Sequence, residues 1–219
     1  MKNLLLPPLV FLFIFSCADH QSYADRVLNA DSENESWLLH GRTYDESRFS
    51  PLKDINDSNV HELGLSWSFE TGTNRGHETT PIVVDGMMFI TAPWSVVFAL
   101  DAKTGKEIWS FDPKADKAWA RNACCDVVNR GVAVWENSLV FATIDGRLIS
   151  LDKLSGRVNW DVLTIDKSKP YTITGAPRII DGKIIIGNGG GELGVRMVQL
   201  PQIGRTKRQA CGGECRPEV

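Results

Sequence analysis

The chain has 219 residues, of which 42% are hydrophobic and 23% are charged, and its formal net charge is -3. These values are typical of a folded globular protein and exclude a disordered chain. The slightly acidic balance argues against a nucleic-acid-binding protein, because such proteins usually present a clustered basic surface.

An export signal is predicted over residues 1–24. Lys2 precedes an apolar run of residues 4–16, which has the length of a signal-peptide core and is too short to span a bilayer comfortably. Ser22 and Ala24 provide the small residues that signal peptidase requires for cleavage after Ala24. The protein is therefore expected to be exported, into the periplasm if the cell is bacterial, with no stable membrane span after signal removal.

Other fates of this segment stay open. Residues 14–17 loosely resemble a lipobox, which would leave a lipid anchor on Cys17. An uncleaved anchor is disfavoured because Pro7 and Pro8 interrupt the short apolar run. Both export routes place the chain in an oxidising compartment, where disulfides persist.

Residues 25–196 are predicted to form repeated β-strands. An Asp, a Gly and a Trp recur with a shift of 51 residues. They are Asp101, Gly105 and Trp109 in one copy and Asp152, Gly156 and Trp160 in the next. A third copy begins at Ala176, and a partial earlier copy ends at Gly72.

The repeat predicts an all-β fold. Short apolar runs alternate with turns, and the Asp-Gly pairs that begin at residues 85, 145 and 181 are expected to be tight hairpins with positive φ. A period near 50 is typical of a β-propeller built from four-stranded antiparallel blades, with each Trp filling the space between blades. The alternative is a two-sheet sandwich with coincidental similarity.

The length predicts an incomplete ring. At about 50 residues per blade, residues 25–196 provide three to four blades, whereas propellers typically have about 4–8. An open ring would expose strand edges. The chain is therefore expected to be part of something larger.

The adjacent pair Cys124 and Cys125 is the first chemical feature. Neighbouring Cα atoms lie about 3.8 Å apart, below the usual disulfide range of about 4.4–6.8 Å. A bond between them would close a strained ring, and such strain tends to be kept at functional sites. Two buried thiols, or separate bridges, remain alternatives.

A glycine-rich run at residues 187–194 is the second chemical feature. Glycines allow the backbone to approach a flat ligand, and Glu192 offers carboxylate oxygens to a hard cation such as calcium. A glycine-rich turn with a solvated Glu is the commoner case. Nucleotide binding is rejected, because neither a strand-GxGxxG-helix context nor a P-loop Lys is present.

From residue 26 to residue 196, the chain resembles the amino-terminal part of the pyrroloquinoline quinone (PQQ)-dependent alcohol dehydrogenases. These are quinoproteins of the methanol and ethanol dehydrogenase type. The run Cys-Cys-Asp-Val-Val-Asn-Arg-Gly at 124–131 is highly specific to that family. The other matching stretches are residues 37–44, 48–52, 63–67, 171–177 and 192–196.

The resemblance implies roles for five residues around the cofactor. Cys124 and Cys125 would form a vicinal disulfide that is one wall over the planar quinone. Arg130 would hydrogen-bond cofactor oxygens with a charge-assisted bond. Glu78 would contact the cofactor through its carboxylate, and Thr174 would bind a cofactor carboxylate through its hydroxyl.

The resemblance also implies a metal site. Gly190 and Gly191 would allow close backbone approach, although relatives often have Ala at the position of Gly191. Glu192 would be a ligand of calcium, or of a lanthanide in some members. Glu192 alone cannot hold calcium tightly, because the ion takes about 6–8 oxygens.

The implied reaction oxidises a primary alcohol to an aldehyde, with a cytochrome c as the electron acceptor. The family's catalytic aspartate and its other metal ligands lie further along the family sequence, so no catalytic residue is assigned in this chain. The expectation is a chain that is inactive alone.

Residues 197–219 depart from the family pattern. They contain no aromatic residue, and Cys211 and Cys215 have no following His, which excludes a c-type haem site. We interpret this tail as a shifted reading frame, with a natural alternative terminus as the other possibility.

The four histidines show no paired ligand spacing and are interpreted as ordinary residues, with His77 near the pocket only because it precedes Glu78. A non-catalytic propeller used as a binding or assembly scaffold is the rival function, since the fold alone does not decide. A scaffold has no need to combine the cysteine pair with Arg130, Thr174 and Glu192.

Overall fold

The computed structural model of the chain describes residues 21–191. Within this range, the helices are α1 (Tyr23–Leu28) and the 3-10 turns Ala30–Ser32, Val60–Glu62, Pro93–Ser95 and Lys117–Asn122. The strands are β1 (Ile82–Val84), β2 (Met87–Ala92), β3 (Val96–Asp101), β4 (Glu107–Phe111), β5 (Ala133–Trp135), β6 (Ser138–Ala142), β7 (Arg147–Asp152), β8 (Val158–Leu163), β9 (Arg178–Ile180) and β10 (Lys183–Ile185).

The strands form two complete four-stranded sheets and a two-stranded part of a third. The orders are β1-β2-β3-β4, β5-β6-β7-β8 and β10-β9, and every strand pair is antiparallel. Each strand of the second sheet begins 51 residues after its counterpart in the first. The predicted repeat of four-stranded antiparallel blades is therefore confirmed.

The blades are buried on their inner side and exposed on their outer side. All three residues of β5 are buried, whereas most residues of β8 are exposed. Aromatic rings join neighbouring blades, and the Phe111 ring meets the Phe141 ring edge-on at a centroid distance of 6.1 Å. Such contacts make one continuous apolar core from successive blades.

Tryptophans at blade ends dock on glycine turns of the next blade, as predicted. The Trp109 indole donates to the Lys153 carbonyl at 3.1 Å. A Cβ atom at Gly156 would lie 2.8 Å from the Trp109 ring, so only glycine leaves room for the ring. Trp67 lies against Gly105 in the same way. The indole thus fixes the distance between consecutive blades.

Two of the three Asp-Gly pairs behave as predicted, and the third does not. Asp85-Gly86 and Asp181-Gly182 have positive φ at both residues and connect two-residue hairpins. At 145–146 only Gly146 has positive φ. The Asp145 carboxylate instead accepts hydrogen bonds from Thr143 and from the Asp116 amide, so it stabilises a longer turn between β6 and β7.

The segment before the first blade packs into the core. Trp37 pairs with Val83 through two backbone hydrogen bonds of 2.8 and 3.0 Å, which covers the free edge of β1. Tyr23 is 1% exposed, and its hydroxyl donates to the Leu38 carbonyl at 2.8 Å. Ser22 caps the helix that contains Tyr23.

The predicted leader boundary after Ala24 falls inside helix α1. A cut at that position would divide the helix and remove Tyr23 from the core. The boundary therefore stays a prediction, and residues 1–20, which include Cys17, lie outside the described residues. No helix in the described part of the chain is long and apolar enough to cross a bilayer.

Candidate functional site

Three of the predicted cofactor residues lie at equivalent places in successive blades. Glu78, Arg130 and Thr174 each precede the first strand of a blade by a few residues. A parallel bridge between Thr80 and Gly131 places two of these entrances side by side. Radial repetition of the blade therefore brings together residues that are far apart in sequence.

The Arg130 guanidinium joins the other two side chains, and we call these three residues the entrance cluster. Its Nη2 lies 2.7 Å from Glu78 Oε2, and its Nη1 donates to Thr174 Oγ1 at 2.6 Å. The side chains of Glu78 and Arg130 are 40% and 42% exposed, so the cluster is open to a ligand. A planar guanidinium with several donors suits a carboxylate or a quinone oxygen.

The backbone of Arg130 is tied to both neighbouring blades. Its carbonyl accepts from the Thr80 amide at 3.2 Å, and its amide donates to the Thr174 carbonyl at 2.9 Å. These bonds hold the Cα of Arg130 in place while the side chain stays accessible. The cluster is therefore positioned by the blades and not by a flexible loop.

Asn129 supports the cluster from the core, and sequence reasoning did not assign it a role. It is 2% exposed, and its amide donates to the Ala142 carbonyl at 2.8 Å and to Ser95 Oγ at 3.0 Å. Its side-chain oxygen accepts from the Gly131 amide at 3.0 Å. The signal for it was its place inside the family-specific run at 124–131.

His40 contacts Thr80, a residue that holds the backbone of the entrance cluster. Its Nε2 lies 3.0 Å from Oγ1 of Thr80. The backbone amide of Thr80 in turn donates to the Arg130 carbonyl. Burial, followed by the charge of Arg178, lowers the pKa of His40, although Glu46 opposes the shift. The neutral form of the His40 imidazole is therefore favoured. The interpretation of His40 as an ordinary residue did not predict its contact with Thr80.

Cys124 and Cys125 occupy an exposed loop between the 3-10 turn Lys117–Asn122 and the core. The side chains of both residues are exposed in this structure. The alternative of buried thiols is therefore wrong. The vicinal disulfide, which the resemblance implies, stays a prediction. The next residue, Asp126, has a left-handed backbone with φ of 71°.

The glycine run approaches the third blade closely. Gly189 exchanges two backbone hydrogen bonds with Thr172, at 2.6 and 3.3 Å. Gly190 is buried with φ of 134°, and a Cβ atom there would lie 3.2 Å from the Tyr171 ring. Gly191 is exposed, and Glu192 lies outside the described residues. The close approach seen at Gly190 is to Tyr171, so its contact with a cofactor stays a prediction.

The described residues do not by themselves form a metal site. Residues 21–191 contain no group of three or more His, Cys, Asp or Glu side chains arranged to hold an ion. A metal at this end of the propeller would need Glu192 and further ligands.

An open cleft of about 580 Å³ is lined mainly by residues of the segment that precedes Glu78. Its lining includes Phe69, Ile90 and His77, whose Nε2 lies 2.7 Å from Thr71 Oγ1. His77 lines this cleft, but Glu78, Arg130 and Thr174 do not, so the place of His77 near the cofactor stays a prediction. The convergence of the entrance cluster is the stronger indication of a binding site.

Comparison with known proteins agrees with this geometry. The family described as "PQQ: Glucose/ethanol/alcohol dehydrogenase, beta-propeller domain" matches residues 37–193. The chain is 54% identical to the quinohemoprotein alcohol dehydrogenase ADH-IIG of Pseudomonas putida, covering 84% of this chain and 26% of the relative. It is also 54% identical to the 1-butanol dehydrogenase (cytochrome c) of Thauera butanivorans, covering 73% of this chain and 23% of the relative.

Solved structures show the same relationship. The solved structure of the quinohemoprotein alcohol dehydrogenase ADHIIG from Pseudomonas putida has a TM-score of 0.77 and 53% identity, matching 78% of this chain and 25% of that one. A europium-containing methanol dehydrogenase has a TM-score of 0.75 and 36% identity, matching 83% of this chain and 33% of that one. The chain spans about a quarter of the length of the curated relatives it matches. The alternative of a two-sheet sandwich is therefore wrong.

Proposed function

Since this chain belongs to the β-propeller family of PQQ-dependent alcohol dehydrogenases, we propose that it contributes the cofactor-binding entrance of an enzyme that oxidises primary alcohols to aldehydes. The observation that carries the proposal is the Arg130 guanidinium held between Glu78 and Thr174. The activity, substrate and electron acceptor of the complete protein are all part of the proposal.

The entrance cluster fits a planar quinone with carboxylate groups. Arg130 has five N–H donors, and its bonds to Glu78 and Thr174 leave donors for a ligand. The Thr174 hydroxyl accepts from Arg130 and still has its own O–H to donate to a carboxylate. The buried amide of Asn129 keeps the backbone of the cluster in place.

PQQ, when bound, supplies the two-electron oxidation by accepting the hydride equivalent of the alcohol. Arg130 binds and orients its oxygens, and Glu78 balances the guanidinium charge before and after binding. Gly190 and Gly191 allow backbone approach on the blade that carries Thr174. Cys124 and Cys125 form the wall over the ring, and their exposed loop lets that wall contact a flat ligand.

The wall is proposed to be a vicinal disulfide in the mature protein. Forming it removes one hydrogen from each thiol and passes two electrons to a disulfide oxidant of the export compartment. Export into the periplasm is the corresponding proposal for location, either through cleavage or through a lipid on Cys17.

The proposals for the metal and for the electron acceptor rest on the relatives. A calcium or lanthanide ion is proposed beside the quinone, with Glu192 as one ligand, because one related structure is described as europium-containing. A cytochrome c is proposed as the acceptor, because one relative is described as a 1-butanol dehydrogenase (cytochrome c). The described residues do not complete a metal site, so no step is assigned to the ion.

Titration of a complete-length version of the protein with PQQ, followed by absorbance, tests the proposal. Arg130→Gln is expected to weaken PQQ binding ten- to one-hundred-fold, since a hydrogen bond to a charged group contributes about 1.5–3 kcal/mol. Arg121→Gln is the matched control, because it removes an exposed arginine three residues before Cys124 and is expected to leave binding unchanged.

A dye-linked assay with primary alcohols, in calcium and then in a lanthanide, tests the reaction and the metal. Unchanged PQQ affinity in Arg130→Gln would contradict the assigned binding site. A complete-length protein that neither binds PQQ nor oxidises alcohols would favour the scaffold function.

A further inference from the structure

An ion pair outside the entrance cluster joins the two loops that flank it. Arg75 Nη1 contacts Asp126 Oδ1, although the residues are 51 positions apart. Arg75 belongs to residues 73–79, which carry Glu78 and are called the Glu78 loop. Asp126 belongs to residues 123–128, called the cysteine loop. The pair therefore links the carboxylate side of the site to the cysteine side.

The backbone around this pair is strained. Asp126 has φ of 71°, directly after Cys125, and Trp94 has φ of 65°. Asp adopts this left-handed region more readily than most residues, whereas a bulky Trp rarely does. Such conformations persist only where the surrounding structure fixes them, and they occur preferentially at functional sites.

Trp94 shows what fixes the cysteine loop. Its amide donates to the Val127 carbonyl at 3.0 Å, so the turn between β2 and β3 holds the end of the loop. The Arg75 guanidinium lies 5.8 Å from the centre of the Trp94 ring, and Lys117 Nζ lies 6.0 Å from it. Arg75 thus contacts Asp126 by charge and Trp94 by a cation–π interaction.

The exposure of the pair indicates a geometric role. The side chains of Arg75 and Asp126 are 50% and 37% exposed. Exposed ion pairs contribute little to the free energy of unfolding. We therefore expect their contact to fix the relative position of the two loops and to contribute little to the stability of the fold.

We propose that Arg75 is a positioning residue that holds the cysteine loop against the Glu78 loop, so that both face the same ligand. It acts through Asp126 and Trp94 and does not itself touch the ligand. The identity of that ligand as PQQ rests on the proposed function, but the coupling of the two loops does not.

Hydrogen–deuterium exchange of the chain without cofactor tests the coupling. Arg75→Gln and Asp126→Asn are each expected to raise amide exchange about ten-fold in both loops. The double variant is expected to show no further increase over Arg75→Gln, because that substitution already removes the contacts with both Asp126 and Trp94. Arg75→Lys keeps the positive charge but not the guanidinium group that lies over the Trp94 ring, so it is expected to give a smaller increase.

Arg121→Gln is the matched control and is expected to leave exchange in both loops unchanged. A rise limited to the loop that carries the substitution, or additive effects in the double variant, would overturn the proposal. A rise throughout both complete sheets would also overturn it, because the role would then be general stability.

PQQ titration of the complete-length protein is the second measurement. Arg75→Gln is expected to weaken binding about ten-fold, with no further loss in the Arg75→Gln/Asp126→Asn double variant. Unaltered affinity in Arg75→Gln would overturn the positioning role. If the wild-type protein does not bind PQQ, the proposed function fails, while exchange in the two loops still decides whether Arg75 couples them.

Discussion

Arg130 donates a hydrogen bond to Thr174 Oγ1 at 2.6 Å, from the entrance of one blade to the entrance of the next. The two residues are separated by 44 positions, and their backbones are joined by a second bond between the Arg130 amide and the Thr174 carbonyl. The side-chain bond therefore depends on how consecutive blades are placed next to each other. It makes Thr174 the most direct point at which to test the binding site.

Thr174→Val removes the hydroxyl and keeps the shape of the side chain. We expect PQQ binding by the complete-length protein to weaken about ten-fold, equivalent to about 1.4 kcal/mol, because both a donor to the ligand and the partner of Arg130 are lost. Thr174→Ser retains the hydroxyl and is expected to bind like the wild type. If Thr174→Val and Thr174→Ser lose the same PQQ affinity, the hydroxyl is not the group that binding requires.

The docking of Trp109 on Gly156 predicts a large effect of a small substitution. Gly156→Ala places a Cβ 2.8 Å from the indole at a position with φ of 70°, so either the ring or the turn must move. We expect the free energy of unfolding in urea to fall by about 2–4 kcal/mol.

Gly64→Ala is the matched control for this change. A Cβ at Gly64 meets no atom within 4 Å, and the residue is exposed, so we expect a change within about 0.5 kcal/mol. Trp109→Phe keeps a ring but loses the bond to the Lys153 carbonyl, and is expected to cost about 1 kcal/mol. Equal stability of Gly156→Ala and Gly64→Ala would contradict the docking role.

The ion pair between Lys153 and Asp85 predicts sensitivity to acid. Lys153 Nζ is nearly buried and lies 2.7 Å from Asp85 Oδ2, and Arg26 also contacts this carboxylate. Burial alone would raise the pKa of Asp85, but the hydrogen bonds from Lys153 and Arg26 lower it below its usual value. The pair connects the first blade, the second blade and helix α1.

A carboxyl group with a lowered pKa in the folded state stabilises the protein above the pKa of the unfolded state, about 3.9. That stability is lost as the pH falls below this value through the lower folded-state pKa. Asp85→Asn is expected to reduce the free energy of unfolding at pH 7 by about 1–3 kcal/mol, because Lys153 keeps a buried charge without its partner. The loss should diminish on acidification, and urea unfolding from pH 7 to pH 3 measures it.

Lys153→Met is the control, since it removes the buried charge together with the pair. It is expected to be less destabilising than Asp85→Asn at pH 7. A larger loss in Lys153→Met, or a pH-independent loss in Asp85→Asn, would show that the pair is not the source of the acid sensitivity.

The burial of Tyr23 predicts where the leader ends. The Tyr23 amide binds Glu136 at 3.0 Å and its hydroxyl binds the Leu38 carbonyl, so we expect the exported protein to retain Tyr23. Small residues at Ser16 and Ala18 provide another signal peptidase site, with cleavage before Asp19. Intact mass and amino-terminal sequencing of the exported protein measure the boundary.

A mature chain that begins at Asp25 would contradict this expectation. A mass that corresponds to a lipid on Cys17 would instead establish the anchored form, which also retains Tyr23. Tyr23→Phe is the matched variant for the hydroxyl alone and is expected to cost about 1 kcal/mol of stability.

Local patterns in the sequence determined the blades. The shift of 51 residues between Asp101 and Asp152 reappears between each strand of the first sheet and its counterpart in the second, because strand pairing follows from apolar alternation and turn chemistry. The docking of Trp109 was likewise predictable, since a large apolar side chain that recurs once per blade has to be covered by the next blade. The cofactor residues were assigned from the family resemblance, which is carried by the run at 124–131 and by other matching stretches.

Only the tertiary structure decided which of those residues meet. Glu78, Arg130 and Thr174 come together because the blades are arranged around an axis, and no local pattern encodes that distance. The same holds for Arg75 with Asp126 and for the place of Tyr23 in the core. These contacts join residues far apart in sequence, so their geometry depends on the packing of whole blades and not on the propensity of any single segment.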